Sequence, residues 1–127
     1  AHLIFGGVLD DFPGLKVYLP HSGGCVPFLC GRWDQGWRNV KAPREAISRP
    51  PSTYLRRFHY DTIAHSGRAL SFVVDTVGAD RMFLGTDYPF DVGDYQPIDH
   101  VQQVGTLSDE DKQRIIELNA PQFFGLA

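Results

Sequence analysis

The strongest constraint on the fold is an apolar segment, residues 82–87, that ends on Asp87 and is followed at once by Tyr88-Pro89. Its apolar residues predict a short buried strand, and Pro89 stops it because proline has no N–H to give to a sheet. In a parallel β/α architecture, residues just past the carboxyl end of a strand face the place where ligands bind. Asp87 is therefore a candidate functional residue, although its position alone equally allows an ordinary turn aspartate.

Helical and strand patterns alternate upstream of that segment. Residues 5–12 predict a first helix, residues 15–19 a short strand, and residues 25–38 a second helix. Residues 58–63 are rich in aromatic and β-branched side chains and predict another strand, and a helix with Ser66 and Gly78 at its ends follows. This alternation predicts an α/β fold with three parallel strands joined by right-handed crossovers.

Two other regions complete the chain. Residues 39–53 carry three prolines and several charges, which predicts a surface excursion that is long for a connection inside one domain. After Asp87, residues 98–104 predict a short helix, and Ser108 with three acidic residues predicts the capped start of the last helix. We expect that helix to break near Asn119-Ala120-Pro121.

Composition excludes several classes of function. The chain has 127 residues, 43% of them hydrophobic, which suits a single domain with its own core. A net charge of -3 without a basic run argues against nucleic acid as a partner, and no apolar run reaches the roughly 20 residues that cross a bilayer. Cys25 and Cys30 are too few for a disulfide framework, so we expect reduced cysteines and a cytoplasmic protein.

Length limits the architecture. Parallel strands need cover on both faces or closure into a barrel, and three strands are few for either. A complete (β/α)8 barrel takes about 250 residues, roughly twice this chain. The sequence therefore predicts part of a larger β/α architecture.

Several short motifs, in one unbroken order, carry a resemblance to a known family. They are Phe5-Gly6-Gly7-Val8, Phe12-Pro13-Gly14-Leu15-Lys16-Val17, His21-Ser22-Gly23-Gly24, Pro27-Phe28, Gly31-Arg32, Gly85-Thr86-Asp87-Tyr88-Pro89-Phe90, Asn119-Ala120 and Phe124-Gly125-Leu126. Together they resemble the C-terminal half of the amidohydrolase-related decarboxylases, the group of aminocarboxymuconate-semialdehyde and γ-resorcylate decarboxylases. Residues 39–53 have no clear counterpart in that pattern.

The resemblance implies a metal-dependent (β/α)8 TIM barrel of which residues 1–127 form strands six to eight and the following helices. It implies that Asp87 closes strand eight and binds a divalent metal, zinc foremost and manganese as the alternative. By the same resemblance His21 is a general acid or base, and Arg32 is similar to an arginine that binds the substrate carboxylate, in some members from a neighbouring subunit. The implied reaction is decarboxylation of a small aromatic or unsaturated carboxylic acid.

These residue types suit that chemistry. A carboxylate oxygen binds a divalent cation, an imidazole exchanges protons near neutral pH, and a guanidinium fork matches a planar carboxylate. His21 and Asp87 are thus the predicted catalytic residues, with Asp87 as metal ligand or proton relay. The metal ligands that the family takes from its first strand and after strand five have no counterpart in this sequence, so we expect this chain alone to bind metal weakly or not at all. Its partner would be the N-terminal half-barrel or a second copy. The alternatives are a hydrolase of the same superfamily and a catalytically silent half-barrel that self-associates through its open sheet edges.

A few other polar or aromatic residues keep two interpretations. His65 either lines the pocket or belongs to a loop or helix start. Asp61, beside His59 on the second strand, either faces the barrel mouth or makes a structural hydrogen bond. Trp33 and Trp37 are expected to pack or to contact a subunit rather than to stack on substrate.

Overall fold

Three parallel strands alternate with helices in the computed structural model, which describes residues 1–126. The strands are β1 (Val17–Leu19), β2 (Phe58–Asp61) and β3 (Met82–Phe83). The helices are α1 (His2–Phe5), α2 (Val8–Asp11), α3 (Val26–Asn39), α4 (Gly67–Val77), α5 (Pro97–Gln102), α6 (Asp109–Gln113) and α7 (Asn119–Phe124). Short 3-10 turns cover His21–Gly23, Ala42–Arg44, Pro51–Arg57 and Ala79–Arg81.

The sheet has the order β1-β2-β3, and both pairings are parallel. Val17 lies opposite Phe58, and Tyr60 lies opposite Met82. The predicted α/β fold with three parallel strands is therefore confirmed. Because the strands run in the same direction, their carboxyl ends lie together at the same end of the sheet.

The two faces of the sheet differ in what they pack against. Side chains alternate between the faces of a strand, so Phe58, Tyr60 and Met82 share one face and are at most 3% exposed. This face meets the apolar stripe of α4 and the C-terminal helical segment in the main core, where the contacts include Leu70, Val77 and Ile115. The opposite face carries Tyr18, His59, Asp61 and Phe83.

Helix α4 has the boundaries that the sequence predicts. Ser66 is its N-cap, with the Ala69 amide donating to the Ser66 hydroxyl over 3.4 Å. Gly78 follows its last turn with a φ of 94° and donates its amide to the Val74 carbonyl. The predicted cap at Ser108 is confirmed as well, since its hydroxyl accepts the Asp111 amide at 3.1 Å.

The first predicted helix is wrong as a single element. Gly7 has a φ of 73° and separates α1 from α2, because a left-handed residue cannot continue a right-handed helix. Another residue at position 7 would be strained by this positive φ, and its Cβ would lie only 3.0 Å from the Ala46 carbonyl oxygen.

The predicted third strand is too long, and the predicted break near Pro121 is wrong. Sheet pairing ends at Phe83, and the next amide, that of Leu84, donates to the Ile115 carbonyl at 3.1 Å. Ile115 lies in a π-helical turn, Arg114–Leu118, that connects α6 to α7 without interruption. Pro121 lies within this continuous helical segment, and the helix runs past it to Phe124.

The segment 39–53 is mostly exposed but is attached at defined points. Ile47 is 2% exposed in the core, and its carbonyl accepts the Trp37 indole N–H at 3.3 Å. Asp34 on α3 accepts both the amide and the hydroxyl of Ser52, at 2.8 and 2.7 Å. Trp33 packs edge-on against Phe5, in agreement with a packing role for this tryptophan.

Within residues 1–126, none of the helices combines the length and apolar character that crossing a bilayer requires.

His59 gives the fold a dependence on pH. Its ring packs at a tilt of 54° against Phe123 with a centroid distance of 4.6 Å, and its buried Nδ1 has no hydrogen-bond partner among residues 1–126. Burial lowers the pKa of His59, and the charges of Arg81 and Lys16 lower it further against an opposing effect of Asp80.

We expect the free energy of unfolding to fall as the pH drops from about 6.5 through the lowered pKa of His59. In that range His59 is protonated in the unfolded chain but still neutral in the folded chain, so lower pH favours unfolding. Urea denaturation between pH 7 and 5 measures this. His59→Phe keeps the aromatic contact with Phe123 and should reduce the loss of stability over that range. An equal loss in the variant and the wild type would contradict the assignment to His59.

Candidate active site

His21 and Asp87 meet at the carboxyl end of the sheet. His21 follows β1 after a single proline, and Asp87 lies four residues past β3. His21 Nε2 is 3.4 Å from Asp87 Oδ1, although the two residues are 66 positions apart. The side chain of His21 is 59% exposed and that of Asp87 is 20% exposed, so both remain accessible to a small ligand.

The backbone is strained at this pair. His21, Ser22 and Asp87 have φ values of 55°, 53° and 57°, in the left-handed region that non-glycine residues rarely occupy. Each such residue costs on the order of 1–2 kcal/mol. A conformation of this kind persists only where neighbouring groups hold it in place.

The buried carboxylate of Asp61, at the end of β2, holds the His21 turn. Its Oδ2 accepts the His21 amide at 3.0 Å, and its Oδ1 accepts the amides of Ser22 at 2.7 Å and Ile63 at 3.0 Å. The Tyr18 hydroxyl donates to Oδ2 as well. Hydrogen bonds to a charged group contribute about 1.5–3 kcal/mol each, enough together to offset the backbone strain. Of the two interpretations of Asp61, the structure shows the structural hydrogen bond.

Glycine is required where the Asp87 connection passes Asp61. A Cβ on Gly85 would lie 2.7 Å from the Cβ of Asp61. The Gly85 amide donates to the Thr62 hydroxyl at 3.3 Å, which keeps this connection against the end of β2. The Gly-Thr-Asp motif thus requires glycine at its first position because the main chain there passes close to the Asp61 side chain.

Tyr18 was not identified as a site residue from the sequence, although the alternation along β1 places it on the same face of the sheet as Asp61. We call this face, which carries Tyr18, His59, Asp61 and Phe83, the inner face. Burial raises the pKa of Tyr18, and both its hydrogen bond to Asp61 and the charge of Asp87 act in the same direction. The hydroxyl therefore stays protonated at neutral pH and remains a donor to the Asp61 carboxylate.

A largely apolar cavity of about 310 Å³ lies beside His21. Its wall includes Phe28, Ile63, Phe72 and Val73, which suit the flat apolar surface of a small aromatic ring. A larger open depression of about 490 Å³ is lined by His65, Asp94 and His100 and contains neither His21 nor Asp87. We assign the site to the smaller cavity because His21, which meets Asp87, is part of its wall, although Asp87 itself is not.

Arg32 is not brought to this cavity. It is an exposed residue of α3 and lines a different depression, together with Gln35, Gly36 and Asn39. That depression shares no residue with the cavity beside His21.

The donor atoms fit part of a metal site. Among residues 1–126, no group of three or more His, Cys, Asp or Glu side chains is placed to hold a metal ion. Asp87 offers one carboxylate oxygen as a ligand, and His21 Nε2 lies 3.4 Å from that carboxylate, close enough for the imidazole to act beside a bound cation. A catalytic zinc site has three protein ligands, so further ligands would have to come from elsewhere.

The sequence matches the amidohydrolase family over residues 1–126. It is 36% identical over 126 residues to the 2-amino-3-carboxymuconate-6-semialdehyde decarboxylase of Dictyostelium discoideum, covering 98% of this chain and 35% of that protein. A dihydroxybenzoic acid decarboxylase from Polaromonas sp. JS666, solved with manganese and the inhibitor 2-nitroresorcinol, superposes with a TM-score of 0.83 at 26% identity, covering 98% of this chain and 38% of that one.

A 2,6-dihydroxybenzoate decarboxylase, solved with 2,6-dihydroxybenzoate, gives a TM-score of 0.82 at 28% identity, with 98% of this chain and 39% of that chain covered. The chain thus spans about 35–39% of the length of these relatives. The likeness extends over nearly all of residues 1–126 and includes both connections that carry His21 and Asp87.

Proposed function

Since the chain belongs to the amidohydrolase family and its fold is part of the (β/α)8 barrel of those decarboxylases, we propose that it supplies part of the active site of a divalent-metal-dependent decarboxylase. The substrate class is a small aromatic or unsaturated carboxylic acid, by analogy with the relatives named above. The metal is zinc or manganese, of which manganese is present in a related structure.

One observation carries this proposal, the approach of His21 Nε2 to Asp87 Oδ1 at the carboxyl end of parallel strands. Ligand sites of parallel β/α proteins lie at that end. The residues are a proton carrier and a hard anionic ligand, and an apolar cavity lies beside them. Proton transfer, metal binding and binding of an aromatic ring are therefore all compatible with this part of the structure.

The side chains would divide the chemistry as follows. A divalent cation, when bound, supplies positive charge that stabilises the negative charge developing on the substrate. Asp87 would hold that cation through a carboxylate oxygen. As the bond to the carboxylate carbon breaks and CO2 leaves, its electron pair stays on the substrate carbon, and His21 would exchange the proton that this carbon requires.

Arg32 would serve a neighbouring site. Its guanidinium suits a substrate carboxylate, yet its depression on α3 is separate from the cavity beside His21. In a homo-oligomer, the exposed surface of α3 could present Arg32 to a second active site. Activity would then require both assembly and a complete barrel.

Further β/α units would complete the barrel as strands one to five, with β1 to β3 as strands six to eight. Within residues 1–126, the outer edges of β1 and β3 pair with no strand. The inner sheet face carries aromatic side chains such as Tyr18, which is 37% exposed. An additional strand on either edge would satisfy those main-chain groups and cover that face.

Asp87→Asn in the complete barrel should lower its manganese or zinc content by about tenfold or more, because an amide is a far weaker ligand than a carboxylate. Metal analysis of the purified protein, with circular dichroism to verify the fold, measures this. Asp91→Asn, an exposed carboxylate on the same connection, is the matched control and should keep its metal. Unchanged metal content in Asp87→Asn would exclude Asp87 as a ligand.

His21→Ala should reduce kcat by about 10²–10⁴-fold while metal is retained, since a positioned acid or base contributes about that factor. Steady-state assays with 2,6-dihydroxybenzoate, followed by the loss of substrate absorbance, test it. The exposed His2 in α1 provides the control variant His2→Ala, for which we expect wild-type turnover. Wild-type turnover in His21→Ala would remove the acid or base role.

A further inference from the structure

We propose that Asp61 is a positioning residue, whose carboxylate fixes the separation between the His21 ring and the Asp87 carboxylate. The importance of that separation for turnover rests on the proposed function of the site. Asp61 itself is 0% exposed, so it contacts neither solvent nor a ligand in the cavity. It acts through the two connections that it touches.

The first connection is the turn that carries His21. Asp61 accepts the amides of His21 and Ser22, one on each carboxylate oxygen. The Ser22 hydroxyl also donates to the Asp61 carbonyl at 3.0 Å. Both residues are in the left-handed region, so the direction of the His21 side chain depends on these bonds.

The second connection carries Asp87. Gly85 lies directly against Asp61, so closely that a Cβ would approach the Asp61 Cβ and Cγ to 2.7 and 3.2 Å. Asp87 follows two residues later and is itself left-handed. A single buried side chain therefore contacts both connections and sets the distance between the groups they present.

An aspartate is needed because four donors converge on it. The His21 amide and the Tyr18 hydroxyl meet Oδ2, and the amides of Ser22 and Ile63 meet Oδ1. An ionised carboxylate accepts at both oxygens, whereas an asparagine has one accepting oxygen and one N–H₂ donor. The asparagine oxygen should face Ser22 and Ile63, because both offer fixed backbone N–H donors, whereas the Tyr18 hydroxyl can also accept from the asparagine nitrogen. The nitrogen then faces the His21 N–H, and that hydrogen bond is lost.

Asp61→Asn is therefore a specific test, because it keeps the shape of the side chain and removes the bond to His21. Asp34→Asn is the matched control. Asp34 is 9% exposed and accepts an amide and a hydroxyl from Ser52, but it lies outside the cavity beside His21. Both variants lose acceptor capacity at a buried carboxylate, so we expect both to lose stability. Only Asp61→Asn changes a side chain that bonds to His21.

In the assembled enzyme, Asp61→Asn should lower kcat by about tenfold to a hundredfold with KM changed less than about threefold, as expected for a misplaced reacting group beside an intact binding cavity. Asp34→Asn should keep both constants within about twofold of the wild type. The His21 amide should lose hydrogen-exchange protection in Asp61→Asn, while the Ser22 amide keeps it. Crystal structures of both variants should show a longer His21 Nε2 to Asp87 Oδ1 distance in Asp61→Asn alone.

Three results would overturn the proposal. They are an unchanged His21 to Asp87 distance in Asp61→Asn, an unchanged kcat despite an exposed His21 amide, and an equal fall of kcat in Asp34→Asn. If the wild type does not decarboxylate aromatic acids at all, the proposed function fails. The amide exchange and the crystallographic distance then still decide whether Asp61 positions His21.

Discussion

The candidate site depends on one buried carboxylate that is shared by several backbone amides. Asp61 ends the central strand β2, so its side chain lies between the connections that leave β1 and β3. It accepts the amides of His21, Ser22 and Ile63. Its side chain also lies so close to Gly85 that position 85 has no room for a Cβ. Buried amides without an acceptor would each cost about 1–3 kcal/mol, and the charge-assisted bonds avoid that cost. The central strand therefore determines where the two flanking connections place their functional side chains.

The sheet supports this arrangement through its two unlike faces. Phe58, Tyr60 and Met82 anchor one face in the main core, and this apolar packing holds β2 rigidly beneath the site. The other face receives only partial cover from the C-terminal helix, where the Phe123 ring packs at a tilt against His59 and Phe83. A face of this kind, with titratable and aromatic side chains together, is what the interior of a barrel presents to strands on its far side.

Local signals in the sequence predicted the elements that depend on local interactions. The stripe and caps of α4, and the Ser108 cap, involve neighbours within one or two helical turns, so spacing alone located them. The length of β3 and the course of the last helix depend on the contact of Leu84 with Ile115, more than thirty residues away, and those predictions were wrong. His21 and Asp87 were found through their motifs, whereas the role of Asp61 required knowledge of which amides face it. The sequence contains an aspartate at that position but no signal of the four donors around it.

The geometry of the donor pair follows from contacts within the chain. His21 is held by main-chain bonds to Asp61, and Asp87 lies on a connection held by Gly85 and by the Asp94 amide, which donates to the Thr86 carbonyl at 2.8 Å. Because the main chain of both connections is held in this way, it need not reorganise when a cation or a substrate arrives, which lowers the cost of binding and of reaching the transition state. Metal ligands contributed by further strands would then have to match the position of Asp87. The hydrogen bonds of the His21 turn thus make this part of the barrel the reference to which the remainder of the site must conform.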